Sequence, residues 1–289
     1  MKKLLAITIA VAVLASLLIP ASAFAKGAAP KAEPGNKYAI LIGISHYLGE
    51  GDVLDYPEPG LDLFYADDDA MLAANTLNTV YGFDYANMTM LIDGAATREA
   101  ILGAIASLKS QTVAGDEVVF HFSGHSFRPS DLGIPGPESR VGIMTYDLNL
   151  IWDYELKAAF TGFASKVVFI FDSCSSGSFS ELAGLGRMII SATDQDGISG
   201  EFGPEYYFLL PEGYPLPPEL EGVSNGLFSA AFYGTILGTW GYGYALPLED
   251  AFAIASDAMS GVNAMAQAFG MPLDENPRMI DNIPGDFVP

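Results

Sequence analysis

The sequence predicts an α/β fold: a mostly parallel β-sheet of about six strands, flanked by helices on both faces. Three observations carry that expectation. Apolar runs of strand length, without polar alternation, recur along the chain, as in strands covered on both sides. Amphipathic segments with helix-end signals separate them, and strands alternating with helices imply parallel pairing. Half of the 289 residues are apolar and only 17% are charged, a globular composition with enough chain for a full core.

Taken in order, Lys37 to Ile44 is a continuous apolar run that predicts the first strand. Asp67-Asp68-Asp69 then precede Leu72, Ala73, Leu77, Val80 and Tyr81 at helical spacing, with Gly82 just beyond. Acids at the positive end and glycine past the last turn predict a helix. Met88 to Ile92 predicts a second strand, Thr97 to Lys109 a capped helix, and Glu117 to Phe122 a third strand. A helix from about Ile151 to Phe163, strands at Lys166 to Asp172 and Met188 to Ala192, helices at Gly226 to Leu237 and Leu248 to Phe269, and a strand at Arg278 to Asp281 complete the pattern.

The first 25 residues form a separate object. Lys2 and Lys3, an apolar run from Leu4 to Ile19, and the small residues Ala21 to Ala25 have the layout of a cleaved secretory signal. No cysteine stands near the cleavage position, which argues against a lipoprotein. Residues 26–36 are a Pro/Ala/Gly/Lys linker, and 37–289 are read as one domain. Within it, 194–224 is too long for an ordinary connection, so it covers a site or is a processing linker. Its Tyr206, Tyr207 and Phe208 could wall a substrate groove. The expected location is secreted, with no membrane association after signal cleavage.

The formal charge is −22, from 13 basic and 35 acidic residues. A chain without a basic cluster cannot neutralise phosphates, which excludes nucleic acid and anionic membranes as partners. A cationic substrate is the better electrostatic match, although salt adaptation would give the same acidity.

Cys174 is the only cysteine, so the exported protein has no internal disulfide and the thiol invites a chemical reading. Parallel sheets form their sites beyond the carboxyl ends of the strands. One strand runs into Ser123-Gly124-His125-Ser126, and another into Asp172-Ser173-Cys174-Ser175-Ser176-Gly177. If those strands are neighbours, His125 and Cys174 emerge together as the minimal pair for cysteine hydrolysis. A phosphatase-type loop would need Arg at position 180, which is Ser. His46, His121 and His125 all precede Cys174, which also excludes nucleophile-elbow amidotransferase and papain-like orders. His121 lies inside a strand and is read as a core or supporting residue, while His46 could line the same crevice. Asn87-Met88-Thr89 matches a glycosylation pattern that recurs by chance.

In these two strand-end motifs, the Asp69-Ala70 helix start, the Asn225-Gly-Leu-Phe-Ser helix start and the Asp281 to Phe287 tail, the chain resembles the caspase/metacaspase family of cysteine peptidases. The resemblance implies a caspase-like fold, with Cys174 as nucleophile and His125 as general acid/base. It also implies an oxyanion hole from the backbone N–H groups of Cys174 and Ser126, and a pocket for a basic side chain formed by Asp172, Asp69 and Ser123. Protein or peptide substrates cut after Arg or Lys follow, because a caspase pocket for Asp would need an Arg after the cysteine. Two alternatives stay open: a catalytically impaired binding module, because Ser126 replaces the family's glycine, and a same-fold peptidase or ligase acting at Asn.

Calcium-dependent relatives carry an acidic cluster after the histidine motif. Here Phe127 to Val141 offers only Asp131 and Glu138, so neither metal nor cofactor is expected. From Met188 to Pro277 there is no Lys or Arg. An enzyme specific for basic residues could not cut its own 194–224 loop, and trimming is expected only near Lys26 and Lys31.

Overall fold

A computed structural model describes residues 35–54, 59–204 and 224–289. The expected signal and linker through residue 34, with Lys26 and Lys31, and Tyr206, Tyr207 and Phe208 lie outside the described residues.

The central sheet is assembled from β1 (Lys37–Gly43), β2 (Met88–Ile92), β3 (Glu117–Ser123), β7 (Lys166–Asp172), β8 (Arg187–Ser191) and β11 (Arg278–Asp281). Their order is β11-β8-β7-β3-β1-β2, parallel throughout except for β11 against β8. Strand periodicity divides the core. On one face Ala39, Leu41, Val119, Val168 and Ile170 meet α1 (Ala66–Tyr81), α4 (Leu227–Trp240) and α5 (Leu248–Phe269). On the other, Ile40, Ile42, Phe120, Phe169 and Phe171 meet α2 (Arg98–Gln111) and α3 (Asp153–Phe160). Because side chains alternate, Ser123 and Asp172, which pair across β3 and β7, share the first face with α1 and α4.

The ends of the helices follow local chemistry. Thr97 caps α2 by accepting from the Ala100 N–H at 3.2 Å, and Gly82 ends α1 in the left-handed conformation, φ 72°. Ile151 and Trp152 depart from the helix expected there. They belong to β6 (Leu150–Trp152), which with β4 (Ser126–Phe127) and β5 (Gly142–Met144) forms a small antiparallel sheet. The helix waits until Asp153 because the Glu155 carboxylate accepts from the Trp152 N–H at 3.1 Å. It stops before Gly162, whose φ is 84°. Gly226 likewise precedes α4, standing in the short strand β10 (Asn225–Gly226) that pairs with β9 (Glu201–Phe202). Among the described residues no helix is long and apolar enough to cross a membrane.

An aromatic layer locks β3 and β7 together below their reactive ends. Phe169 stands edge-on to Phe160 at 4.8 Å and lies 6.1 Å from Phe120, and Phe171 stacks on Phe179 at 4.0 Å. Phe179 sits in the 3-10 segment Ser176–Leu182 just past Cys174, so the turn carrying the thiol is anchored by a ring contact. Phe169→Ala is expected to cost about 3–5 kcal/mol, measured as a lowered urea midpoint with the slope retained.

Candidate active site

The pairing of Ser123 with Asp172 puts the ends of β3 and β7 side by side, and the Gly124 N–H donates to the Asp172 carbonyl at 3.3 Å. His125 and Cys174 therefore leave adjacent strands and line one pocket with Ser123, Asp172, Ser199 and Gly226. Gly124 allows the exit. Its φ of 146° is open only to glycine, and a Cβ there would meet the Tyr47 hydroxyl at 2.9 Å.

His125 is held from three sides. Its backbone N–H donates to the Tyr47 hydroxyl at 2.9 Å, its ring faces the Tyr47 ring at 5.3 Å, and Phe127 lies 5.7 Å away on the next turn of chain. Its Nε2 is 2.9 Å from the Leu61 carbonyl oxygen. A carbonyl can only accept, so Nε2 carries the hydrogen and Nδ1 keeps the lone pair. Burial pushes the imidazole below its usual range, offset in part by the Leu61 carbonyl and the Asp62 charge. Burial also raises the Cys174 thiol. The contact with the Ser199 carbonyl at 3.9 Å opposes that rise, and the charges of Glu275, Asp172 and Asp131 add to it. Both shifts favour the uncharged forms, a thiol and a neutral imidazole.

Ser126 stands where the family has glycine, yet its side chain is buried and faces inward. The hydroxyl donates to the Cys174 carbonyl and lies 3.0 Å from the Ser173 hydroxyl. It joins the histidine segment to the cysteine turn. Met144 donates to the His125 carbonyl, so Ser126 and Ile143 form the next, non-hydrogen-bonded pair of the β4–β5 ladder. The Ser126 N–H therefore points away from β5. Ser175, directly after the thiol, holds φ 54°, a costly conformation for a side-chain residue. It is fixed by its N–H to the Gly197 carbonyl at 2.9 Å.

Two buried carboxylates face the N-terminus of α4. Asp69 accepts from the Ser123 hydroxyl at 2.7 Å, the Asn225 side-chain amide at 3.0 Å and the Gly226 N–H at 2.9 Å. Asp172 accepts from the Ser199 hydroxyl and the Ser229 N–H, both at 2.8 Å, which makes it the cap of that helix. Burial raises both carboxyls. For Asp69 the charge of Asp172 adds to the rise, while Ser123, Asn225 and Gly226 oppose it; for Asp172, Ser229 and Ser199 oppose it. A carboxylate offers about four lone-pair positions, so both retain capacity to accept. Thus the structure brings Cys174, His125, Ser126, Ser123, Asp69 and Asp172 to one place.

His46 is not among them. It is exposed and paired with Asp93 at 3.4 Å, whereas the side chain of its neighbour Tyr47 turns toward His125. His121 is fully buried with its Nδ1 3.0 Å from the Tyr233 hydroxyl, and burial holds its pKa at about 3, so it stays neutral as a supporting core residue. Sequence reasoning missed Tyr47, the Leu61 carbonyl, Ser199, Glu275 and Glu201, which also lines the pocket. A backbone oxygen leaves no mark in a sequence, and Glu275 lies far downstream of either motif.

Of the glycines lining the pocket, Gly226 carries the closest approach. A Cβ there would lie 2.5 Å from Asp172 Oδ2 and 2.6 Å from Asp69 Oδ2. Gly226→Ala must displace both carboxylates and is expected to lower stability by about 1–3 kcal/mol, seen as a drop in thermal midpoint.

The sequence model of the family described as "Metacaspase, peptidase C14 domain" matches residues 37–183, just over half of the chain. Metacaspase-4 of Arabidopsis thaliana is 31% identical over 153 residues, 49% of this chain and 34% of that protein. Metacaspase-1 of Debaryomyces hansenii is 27% identical over 164 residues, 51% of this chain and 34% of that protein. The chain therefore spans about a third of the length of these curated relatives. The fold is similar to the crystal structure of a Geobacter sulfurreducens protein, with a TM-score of 0.53 and 19% identity, covering 87% of this chain and 95% of the other.

Proposed function

This chain belongs to the metacaspase, peptidase C14 family, a family of cysteine-type peptidases, and from that premise we propose that it is an exported cysteine endopeptidase cutting after Arg or Lys. The observation that carries the reading is the pairing of Ser123 with Asp172. It sets the Cys174/His125 pair directly above two buried carboxylates that have no cation of their own among the described ion pairs.

In this mechanism a guanidinium or ammonium enters toward Asp172 and Asp69, with Ser123 beside them. The Cys174 sulfur attacks the carbonyl carbon as its proton passes to His125 Nδ1, the ring nitrogen that Leu61 leaves free. The backbone N–H groups of Cys174 and Ser126 hold the oxyanion. His125 returns the proton to the leaving amine as the C–N bond breaks, which leaves a thioester. Water then attacks it, giving its proton to Nδ1, and the thiol is restored.

The enzyme works as a single chain without calcium. Asp131 is engaged by Arg128 at 3.3 Å and Glu138 by the Ser130 hydroxyl at 2.9 Å, so the two acids of that stretch are already committed.

Peptides differing only in the residue before the cut test the reading. The Arg or Lys peptide is cleaved, those with Asp or Asn are not, Cys174→Ala abolishes turnover, and a calcium chelator changes the rate less than twofold. A folded protein inert on all four peptides would remove hydrolysis after basic residues from consideration. Acidity adds a second prediction. Burial raises Asp69 and Asp172 above the ordinary 3.8, so they take up protons at higher pH than exposed carboxylates do, and protonation removes the charge that would hold a cation. The KM for the Arg peptide is expected to rise as pH falls from neutral; a KM that stays flat across that range would contradict it.

A further inference from the structure

Resting on that reading of the pocket, we propose that Glu275 is a further specificity-determining residue, a third carboxylate linked to Asp172 through the Ser199 hydroxyl. It makes the pocket discriminate for full positive charge rather than for the shape of a basic side chain. Glu275 lies outside the segment shared with the family model. It sits between α5 and β11 and is 1% exposed. Its backbone is fixed at both ends by one residue: its N–H donates to Asn263 Oδ1 at 2.8 Å, and its carbonyl accepts from Asn263 Nδ2 at 2.6 Å.

The side chain points back to the pocket wall. Glu275 Oε1 accepts from the Gly200 N–H at 3.0 Å and lies 3.3 Å from Ser199 Oγ, which is 2.8 Å from Asp172 Oδ1. A serine has one hydroxyl proton to give. The nearer oxygen, that of Asp172, takes the larger share, which leaves Glu275 with the Gly200 N–H as its one full donor and a weak share of the Ser199 hydroxyl. Its Oε2 is buried and has no hydrogen-bond partner among the described residues. A buried carboxylate so poorly supplied is sustained only by a proton or a nearby cation. No Lys or Arg occurs between Met188 and Pro277, and among the described residues no group of acids is arranged to hold a metal ion.

The charges of Asp172 and Asp69 both bear on Glu275, and that of Asp172 on Asp69, so a cation entering beside Asp172 meets the field of three acids. Glu275 does not reach the pocket surface itself. It acts through Ser199 and Asp172, and its influence therefore falls on charge and not on fit.

The test compares peptides carrying arginine or citrulline, its neutral isostere, before the cut, using the full chain and Glu275→Gln. The arginine-to-citrulline ratio of kcat/KM is expected to fall about tenfold in Glu275→Gln, the scale of one charge across a half-desolvated pocket. The loss should sit in KM for arginine, with citrulline turnover nearly unchanged. Equal losses on both peptides would make Glu275 a merely structural support and overturn the proposal, as would an unchanged ratio. If the parent protein does not prefer arginine to citrulline, the reading of the pocket falls and this proposal with it. Should Glu275→Gln lose its cooperative unfolding transition, Ser199→Ala, which cuts the link but keeps the acid, is expected to lower the same ratio; a retained ratio there overturns the proposal.

Discussion

Asp69 and Asp172 are buried together at the N-terminal end of α4, and the organisation of the whole site follows from where those two charges are accommodated. Three elements far apart in the chain meet there: the start of α1, the end of β7 and the start of α4. Like charges in a poorly hydrated space repel, and what makes their proximity tolerable is the unsatisfied N–H groups and positive dipole end of a helix. The same donors that anchor α4 therefore keep the carboxylates in place. Neither acid can be assigned to structure alone or to recognition alone.

That arrangement conditions the Cys174 thiol. A thiol in a negative, partly dry environment does not ionise spontaneously, and the charges of Glu275 and Asp172 reinforce its reluctance. On the proposed reading, a ligand that offsets the negative field would favour the reactive thiolate. A bound cation would ease proton loss from Cys174 just as the scissile bond comes within its reach. Tyr47, Leu61 and Ser126 add no charge of their own. They settle which nitrogen of His125 is basic and how the two reactive turns sit against each other.

Much of this was legible in the sequence because the central sheet is buried on both faces. The apolar runs at β1, β3 and β7 mark strands without ambiguity, and a reactive cluster directly after an apolar run announces a strand end. Recognition of Asp69 depended on the resemblance, since a third acid at a helix start looks like ordinary dipole compensation. The small sheet of β4, β5 and β6 was hidden because its strands have two or three residues each, too few for any period. Ile151 and Trp152 accordingly read as the first turn of the helix that follows them. His46 also follows a strand, but Asp93 holds its backbone N–H and ring at the surface, while the side chain of its neighbour Tyr47 turns to His125.

Gly226 carries a consequence for how such a pocket can diversify. Pockets commonly change preference when a small residue at the base is exchanged for a bulkier one that shortens the cavity. Here that route is closed, since even one methyl group collides with both acids. A lineage reshaping this pocket would have to replace the carboxylates first, and with them the cap of a buried helix. Specificity is in this way welded to foldability, and drift toward a new substrate must pass through less stable intermediates.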